Sequence, residues 1–192
     1  MVLDNKKFVV DSLMKTGREG MEDLIDAMNE WGFFSAPCSG GNHLACEFGL
    51  VHHTRNVMEQ AEKIGVALLG GAEYNKIQSS VVISAALHDL GKCGQFGKPN
   101  YIPNVLKSGK ASDSKPYKTN PDLLYVAHEI RSVAMAQMYI DLTEDEQFAI
   151  LYHNGLYGPL KYDLQGKETP LYMIIHWADM WASRVIEKGA DE

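Results

Sequence analysis

The stretch that most constrains this chain is residues 85–92, which read Ala-Ala-Leu-His-Asp-Leu-Gly-Lys. Adjacent side chains on a helix diverge by about 100°, so His88 and Asp89 can share a small target only near the end of a helix. A metal ion is such a target, because it can collect ligands from several distant helices. A His-Asp pair also occurs by chance in many proteins. Its meaning therefore depends on where further ligand residues lie.

Most of the chain carries the spacing of amphipathic helices, and strand-like alternation is scarce. Thr143 and Glu146 have the spacing of a capping box and predict the start of a helix between them. Helices are predicted over residues 5–15, 19–31, 50–64, 75–90, 127–139, 144–152 and 170–188. Because no repeat or linker is evident, we expect one all-α domain over 1–192, a bundle of about six to eight helices. Residues 1–47 would pack as N-terminal helices and a loop on a core formed by 48–187.

Several predicted helices carry a potential metal ligand on the inner face or at one end. Leu50, His53 and Val57 share the buried face of one helix, and His88 follows Ala85 by one turn of another. A single histidine on an apolar face is more often a satisfied core residue than a ligand. Buried histidine and aspartate are nevertheless unusual unless they are paired or bind metal. The ordered set of candidate ligands is His53, His88, Asp89, His128, His153 and Asp179.

Composition limits the partners and the compartment. The formal net charge is −7, which argues against general binding to nucleic acid or membrane surfaces. No apolar run is long enough to span a bilayer, and the N-terminus lacks the apolar segment of a signal peptide. Three cysteines without Cys-x-x-Cys spacing predict neither disulfides nor a thiolate zinc site. We therefore expect a cytoplasmic protein with reduced thiols; a homo-oligomer remains open.

The segment 91–122 is long, polar and locally basic, with six of the 18 Lys and Arg residues. It is interpreted either as a cradle for an anion or as a solvated flexible loop. Outside this segment, Arg55, Arg131 and His176 could also contact substrate. For Arg131 the alternative is a surface salt bridge with Glu129 or another acid. His43 lies ahead of the first candidate ligand and is expected to cap its loop or line the pocket rim. The predicted substrate-binding residues are Arg55, Lys92, Lys118, Arg131 and His176.

These motifs together resemble the HD superfamily of metal-dependent phosphohydrolases. His53-Thr54 is similar to the family's first motif, residues 87–92 match the doublet motif, and Ala178-Asp179 matches the final aspartate. The resemblance spans residues 48–183. Two further histidines, His128 and His153, resemble the binuclear members, which include the HD-GYP phosphodiesterases and the nuclease domain of CRISPR helicase-nucleases. The Gly-Tyr-Pro signature is absent, which argues against a cyclic-dinucleotide substrate.

The resemblance implies one metal held by His53, His88, Asp89 and Asp179, and a second held by His128 and His153 with Asp89 as the bridge. Imidazole and carboxylate ligands suit iron, manganese, zinc, cobalt or nickel, so we expect one or two such divalent ions per chain. Two ions about 3.5–4 Å apart can activate a water for attack on phosphorus. Asp89 and Lys92 are the predicted catalytic residues, since Lys92 could neutralise charge that develops on the phosphoryl oxygens.

The first functional hypothesis is hydrolysis of a phosphate ester or anhydride of a small nucleotide. The alternative is a phosphodiesterase or nuclease that acts on cyclic nucleotides or single strands. A less favoured reading is a mixed-valent di-iron oxygenase, because the same ligands serve that chemistry. A regulatory domain without catalysis is disfavoured, because all six candidate ligand positions are filled.

Overall fold

A computed structural model describes residues 2–158 and 161–188, and these are mostly helical. Most of the long helices have an apolar face and a polar face, whereas the helix that ends at Leu87 is buried on all sides over residues 83–87. The helices are α1 (Val2–Lys15), α2 (Met21–Glu30), α3 (Gly49–Leu69), α4 (Gly71–Leu87), α5 (His128–Ala136), α6 (Glu144–Tyr152), α7 (Lys161–Leu164) and α8 (Pro170–Trp181). The strands are β1 (Gly94–Gln95), β2 (Lys98–Pro99), β3 (Tyr101–Pro103) and β4 (Tyr117–Thr119).

The core lies where α3, α4, α6 and α8 pack together, and α1 covers α3 and α4. Leu50 and Val57 of α3, Ile83 of α4, and Ile150 and Ile175 of the later helices are fully buried. Truncation of such a side chain to alanine typically costs about 2–5 kcal/mol of the free energy of unfolding. This rigid bundle therefore gives the ends of its helices fixed positions.

The prediction of an all-α fold is wrong in part, because the segment 91–122 contains two antiparallel hairpins. β1 pairs with β2, and β3 pairs with β4 in the register Tyr101 to Thr119. The first hairpin turns at Phe96-Gly97, where both residues have positive φ, as a two-residue type I′ turn needs. Phenylalanine is rare in that conformation, so the turn could not be predicted from its residue types.

Helix starts and stops differ from the predicted ones by a few residues at most sites. The capping box of Thr143 and Glu146 at the start of α6 is confirmed. The fourth helix ends at Leu87, so that His88 caps it and Asp89 lies in the turn that follows. The last helix becomes a π-helical turn over Ala182–Ile186 instead of continuing as α-helix to Lys188. Among the described residues, no helix is both long and apolar enough to cross a membrane.

Candidate metal centre

The six predicted ligands come together at the ends or inner faces of five helices. His53 projects from α3 and Asp179 from α8, whereas the other four lie at the end of α4, the start of α5 and the end of α6. The side chains of His53 and His88 are fully buried, but His128 and Asp179 are 27% and 17% exposed. The cluster is therefore buried at its centre and open at two edges.

One oxygen of Asp89 faces the first group of ligands. Its Oδ2 lies 3.5 Å from Nε2 of His53 and 3.3 Å from Nε2 of His88. These two ring nitrogens are 3.3 Å apart, and Asp179 Oδ1 lies 3.2 Å from Nε2 of His53. His53, His88 and Asp179 thus present ligand atoms close enough together to hold one metal ion.

The other oxygen of Asp89 faces a second group. Its Oδ1 lies 3.2 Å from Nε2 of His128 and 3.5 Å from Nε2 of His153. The two imidazole rings are edge to face, with centroids 5.3 Å apart. Asp89 is consequently the residue that the two groups share.

All four histidines turn the same ring nitrogen towards the cluster. In each ring Nδ1 is engaged by an oxygen and Nε2 faces Asp89, and Nε2 of His128 and of His153 also contacts the Asn154 side-chain nitrogen. The Nδ1 partners are a Glu187 carboxylate oxygen for His53 at 3.0 Å, the Ala85 carbonyl for His88 at 2.8 Å, a Glu129 carboxylate oxygen for His128 at 3.3 Å and the Ile150 carbonyl for His153 at 2.8 Å. This is the arrangement of metal-binding histidines, whose second nitrogen is held by a carboxylate or a carbonyl.

Asp89 fits the role of a metal ligand because its buried oxygens lack hydrogen bonds. Neither oxygen accepts a hydrogen bond of good geometry within the described residues, although Lys92 Nζ lies 2.7 Å from Oδ2. Burial raises the pKa of Asp89, but the charge of Lys92 and contacts with the histidine rings outweigh it and hold that pKa well below its usual range. Asp89 is therefore a carboxylate, the form that binds metal.

Charge compensation extends to the neighbours of Asp89. Burial raises the pKa of Asp179, yet its contact with His53 lowers that pKa further than burial raises it. Burial lowers the pKa of Lys92, but Asp89 raises it well above normal, so Lys92 stays an ammonium. The pKa of His88, in contrast, is lowered chiefly by burial, which favours the neutral imidazole that a metal requires.

Four residues that support the ligands, two glutamates and two asparagines, were missed by sequence reasoning. Glu187 is buried beside His53 and accepts a hydrogen bond from the Asn56 side chain at 2.9 Å. Glu129 is buried beside His128 and accepts from Asn154 at 2.7 Å. The only sequence signals were a carboxylate directly after His128 and an amide directly after His153. Neither one has a distinctive spacing.

Two cavities reach the cluster from its exposed edges. One, of about 330 Å³, meets the cluster at Asp179, and the other, of about 120 Å³, meets it at His128. Lys92 lines both. A further cavity of about 330 Å³ between α1, α3 and α4 contains none of the six ligands.

The predicted substrate-binding residues divide into two sets. Lys92 and His176 line the larger of the two cavities at the cluster, and His176 Nδ1 donates to the His153 carbonyl at 2.7 Å. Gly155 makes room for this ring, since a Cβ there would lie 2.4 Å from His176 Cε1. His43, expected at a rim or a loop cap, also lines this cavity.

The structure does not bring Arg55, Lys118 or Arg131 to the cavities. Arg55 lies against α1, where it pairs with Glu59 at 2.8 Å and stacks on Phe8. Lys118 is exposed on β4. Arg131 is buried and donates to the Gln95 side chain and the Leu124 carbonyl, both at 2.9 Å. Arg131 thus shows neither a place in the cavities nor the alternative salt bridge with Glu129 or another acid, because both of its bonds go to residues 95 and 124.

No protein-family model, curated protein or solved structure matches the chain. The inference of function therefore rests on the residues and on their geometry. What these establish directly is a mostly helical protein with buried His, Asp and Cys groups that could hold a metal ion.

Proposed function

We propose that this chain is a metal-dependent phosphohydrolase of the HD type that acts on a small nucleotide. The observation that carries the proposal is the arrangement around Asp89, where four histidines direct Nε2 towards one carboxylate whose two oxygens face different groups. The six proposed ligands are imidazoles and carboxylates without a thiolate, a set that suits iron, manganese, zinc, cobalt or nickel.

The residues would divide between two ions as the resemblance implies. His53, His88 and Asp179 would hold one, His128 and His153 the other, and Asp89 both. When bound, the metal would activate a water for attack on phosphorus and polarise a phosphoryl oxygen. The two carboxylates would balance half of the charge of two divalent ions, and a bound anionic substrate would balance more.

Lys92 supports the phosphoryl assignment. Its ammonium group borders both cavities and touches the shared carboxylate, so a phosphoryl group at the cluster would lie within its reach. A positive charge held in place there stabilises negative charge that develops on phosphoryl oxygens. The Nδ1–H of His176 is used by the His153 carbonyl, so its Nε2 remains for the cavity.

The size and lining of the cavities favour a small substrate. About 330 Å³ is at the lower end of the range for small-molecule sites. Tyr101 and Tyr125 line the smaller cavity and offer ring faces on which a base could stack. Both features fit a mononucleotide better than a polymer.

The test is a panel of mononucleotides, nucleoside triphosphates, cyclic nucleotides and a short single-stranded oligonucleotide, with the purified protein and added manganese. We expect phosphate or polyphosphate release from one nucleotide class. Asp89→Asn should lose bound metal and at least about a hundredfold of the activity, because it removes the ligand that both groups share. Asp11→Asn, an exposed change on α1, is the matched control.

Other outcomes would reassign the function. Strand scission or opening of a cyclic nucleotide would favour the phosphodiesterase. Oxygen consumption by a di-iron form without phosphate release would favour the oxygenase. Full metal content in Asp89→Asn would contradict the role of Asp89 as the shared ligand.

A further inference from the structure

The larger cavity at the cluster carries an arginine on the wall formed by the chain after α8. Arg184 belongs to the π-helical turn Ala182–Ile186, and its side chain lines the same cavity as Lys92 and Asp179. Its guanidinium carbon lies 4.5 Å from the ring centroid of Tyr157, which follows α6. A stacked guanidinium is held in one orientation while its N–H groups stay available at the edge.

Arg184 differs from the other three arginines in its partners. Arg18 is paired with Glu146, Arg55 with Glu59, and Arg131 donates to an amide and a carbonyl. Within residues 2–158 and 161–188, Arg184 has a ring contact with Tyr157 but no hydrogen bond or ion pair. Its N–H donors are therefore unused by the protein and face a cavity.

The rest of the cavity lining is suited to an anion. Asp179 is its one acidic residue, and that side chain is already turned to His53. The remaining polar wall provides amide, hydroxyl and imidazole groups, from Asn42, His43, Asn154, His176 and Ser183. Lys92 and Arg184 thus place two positive charges at one small cavity of a chain whose net charge is −7.

We propose that Arg184 forms a second anion-binding subsite, and that the substrate is a small phosphate ester with a second anionic group such as another phosphoryl group. The inference rests on the proposed function: the reacting phosphoryl group lies at the ligand cluster beside Lys92, and Arg184 binds the second group from another wall of the cavity. The planar fork of arginine binds phosphate oxygens in a bidentate manner, whereas lysine acts as a point charge. Arg184 thereby selects substrates with two anionic groups over those with one.

The test compares two probes that share a nucleoside and differ in one phosphoryl group, adenosine 5′-monophosphate and adenosine 3′,5′-bisphosphate. Binding to the full-length protein is measured by calorimetry in EDTA, so that turnover does not contribute. We expect the bisphosphate to bind about tenfold more tightly, as one good charge-assisted contact allows. Arg184→Gln should abolish this preference and leave the monophosphate affinity within about twofold.

The controls separate binding from stability. Arg55→Gln is matched, because Arg55 also stacks on a ring, Phe8, but on the far side of α3; it should keep the preference. Arg184→Lys should recover part of it, because the charge remains and the planar fork is lost. Thermal unfolding of each variant shows whether the fold is intact.

Two results would overturn the proposal. One is equal affinity of the wild-type protein for both probes, and the other is a preference that survives in Arg184→Gln. Neither depends on turnover, so a protein that releases no phosphate from any nucleotide would refute the proposed function without deciding this binding test.

Discussion

At the scale of single residues, Glu187 shows how the chain after the last helix contributes to the cluster. On a straight α-helix Glu187 would lie about 80° round the axis from Asp179. The π-helical turn between them, closed by the Glu187 N–H donating to the Ala182 carbonyl at 2.9 Å, rotates less per residue. Glu187 thereby reaches Nδ1 of His53 while Asp179 reaches Nε2 of the same ring.

Replacement of Glu187 tests this positioning role. Glu187→Gln keeps the volume but removes the charge that holds His53 in its tautomer and orientation. We expect about a 10–100-fold loss of metal affinity, the usual effect of losing such a partner, with little change in helix content. Metal affinity would be measured by competition with a chelator. Glu59→Gln, which removes a partly buried carboxylate that is distant from the cluster but on the same helix as His53, should bind metal like the wild type.

The sequence located the histidines and aspartates but not the residues that hold them. Histidine and aspartate on an apolar stripe are conspicuous, because burial of such groups is costly without a partner. Glu187 and Asn154 looked like ordinary polar residues at helix ends, and their partners are distant in sequence. Arg55 was predicted to bind substrate because it lies two residues after His53. Its side chain is instead on a face of α3 that α1 covers.

At the scale of elements, the turn that follows His88 and Asp89 approaches α5 closely at Gly91. A Cβ on Gly91 would lie 2.4 Å from the His128 carbonyl oxygen and 2.8 Å from Arg131 Cβ. The Ser132 hydroxyl joins the same two elements, since it accepts from Gly91 N–H and donates to the His88 carbonyl. This close contact is what brings His128 to Asp89, and helix periodicity alone could not have predicted it.

Helix periodicity predicted the long helices well, because most of them bury a continuous apolar stripe. It failed for the short strands, which depend on turns and on cross-strand pairing more than on pattern. The hairpins have few buried residues, so their alternation is weak over two or three positions. Part of the basic segment is therefore folded into two hairpins beside the smaller cavity, and Asn100 and Thr119 lie in the cavity wall.

The ion pair between Arg18 and Glu146 gives a test at this scale, because it joins the α1–α2 turn to α6. Glu146 is buried, and its oxygens accept from Arg18 at 2.7 and 3.0 Å. Burial raises its pKa, but Arg18 and the Thr143 N–H lower it below the usual value. A lowered folded-state pKa stabilises the fold at pH above the unfolded value, and this contribution is lost as pH falls below it.

We therefore expect Glu146→Gln to lower the free energy of unfolding by about 1–3 kcal/mol at pH 7. Glutamine can keep the capping box with Thr143, so the measured difference reports the loss of the negative charge at residue 146 and not the loss of the helix cap. The difference from wild type should shrink as pH falls below about 4.3, where the glutamate of the unfolded chain protonates while that of the folded chain, with its lowered pKa, is still charged. Urea unfolding of metal-free protein at pH 7 and pH 4 measures it. A difference that grows with acid, or an equal loss in the exposed Glu144→Gln, would contradict this reading.

At the scale of the whole molecule, the candidate ligands join parts of the chain that are far apart in sequence. His53 and Asp179 are separated by 126 residues (179 − 53), yet their ligand atoms are 3.2 Å apart. An ion that binds such a set binds only the folded chain, and its binding free energy adds to the stability of the fold. The exposed edges at His128 and Asp179 give an ion access from solvent.

Removal of metal should therefore lower the thermal stability of the entire domain. With free metal at about a hundred times its dissociation constant, the gain is about 2.7 kcal/mol, which corresponds to roughly 5–11 °C in Tm for a chain of this length. Calorimetry before and after EDTA treatment, with manganese then added back in excess, measures the shift. Asp89→Asn should unfold at the same temperature with and without manganese, because the shared ligand is gone. A wild-type Tm that does not respond to metal, or an Asp89→Asn variant that responds as the wild type does, would mean that the four histidines converge on Asp89 only to neutralise its charge.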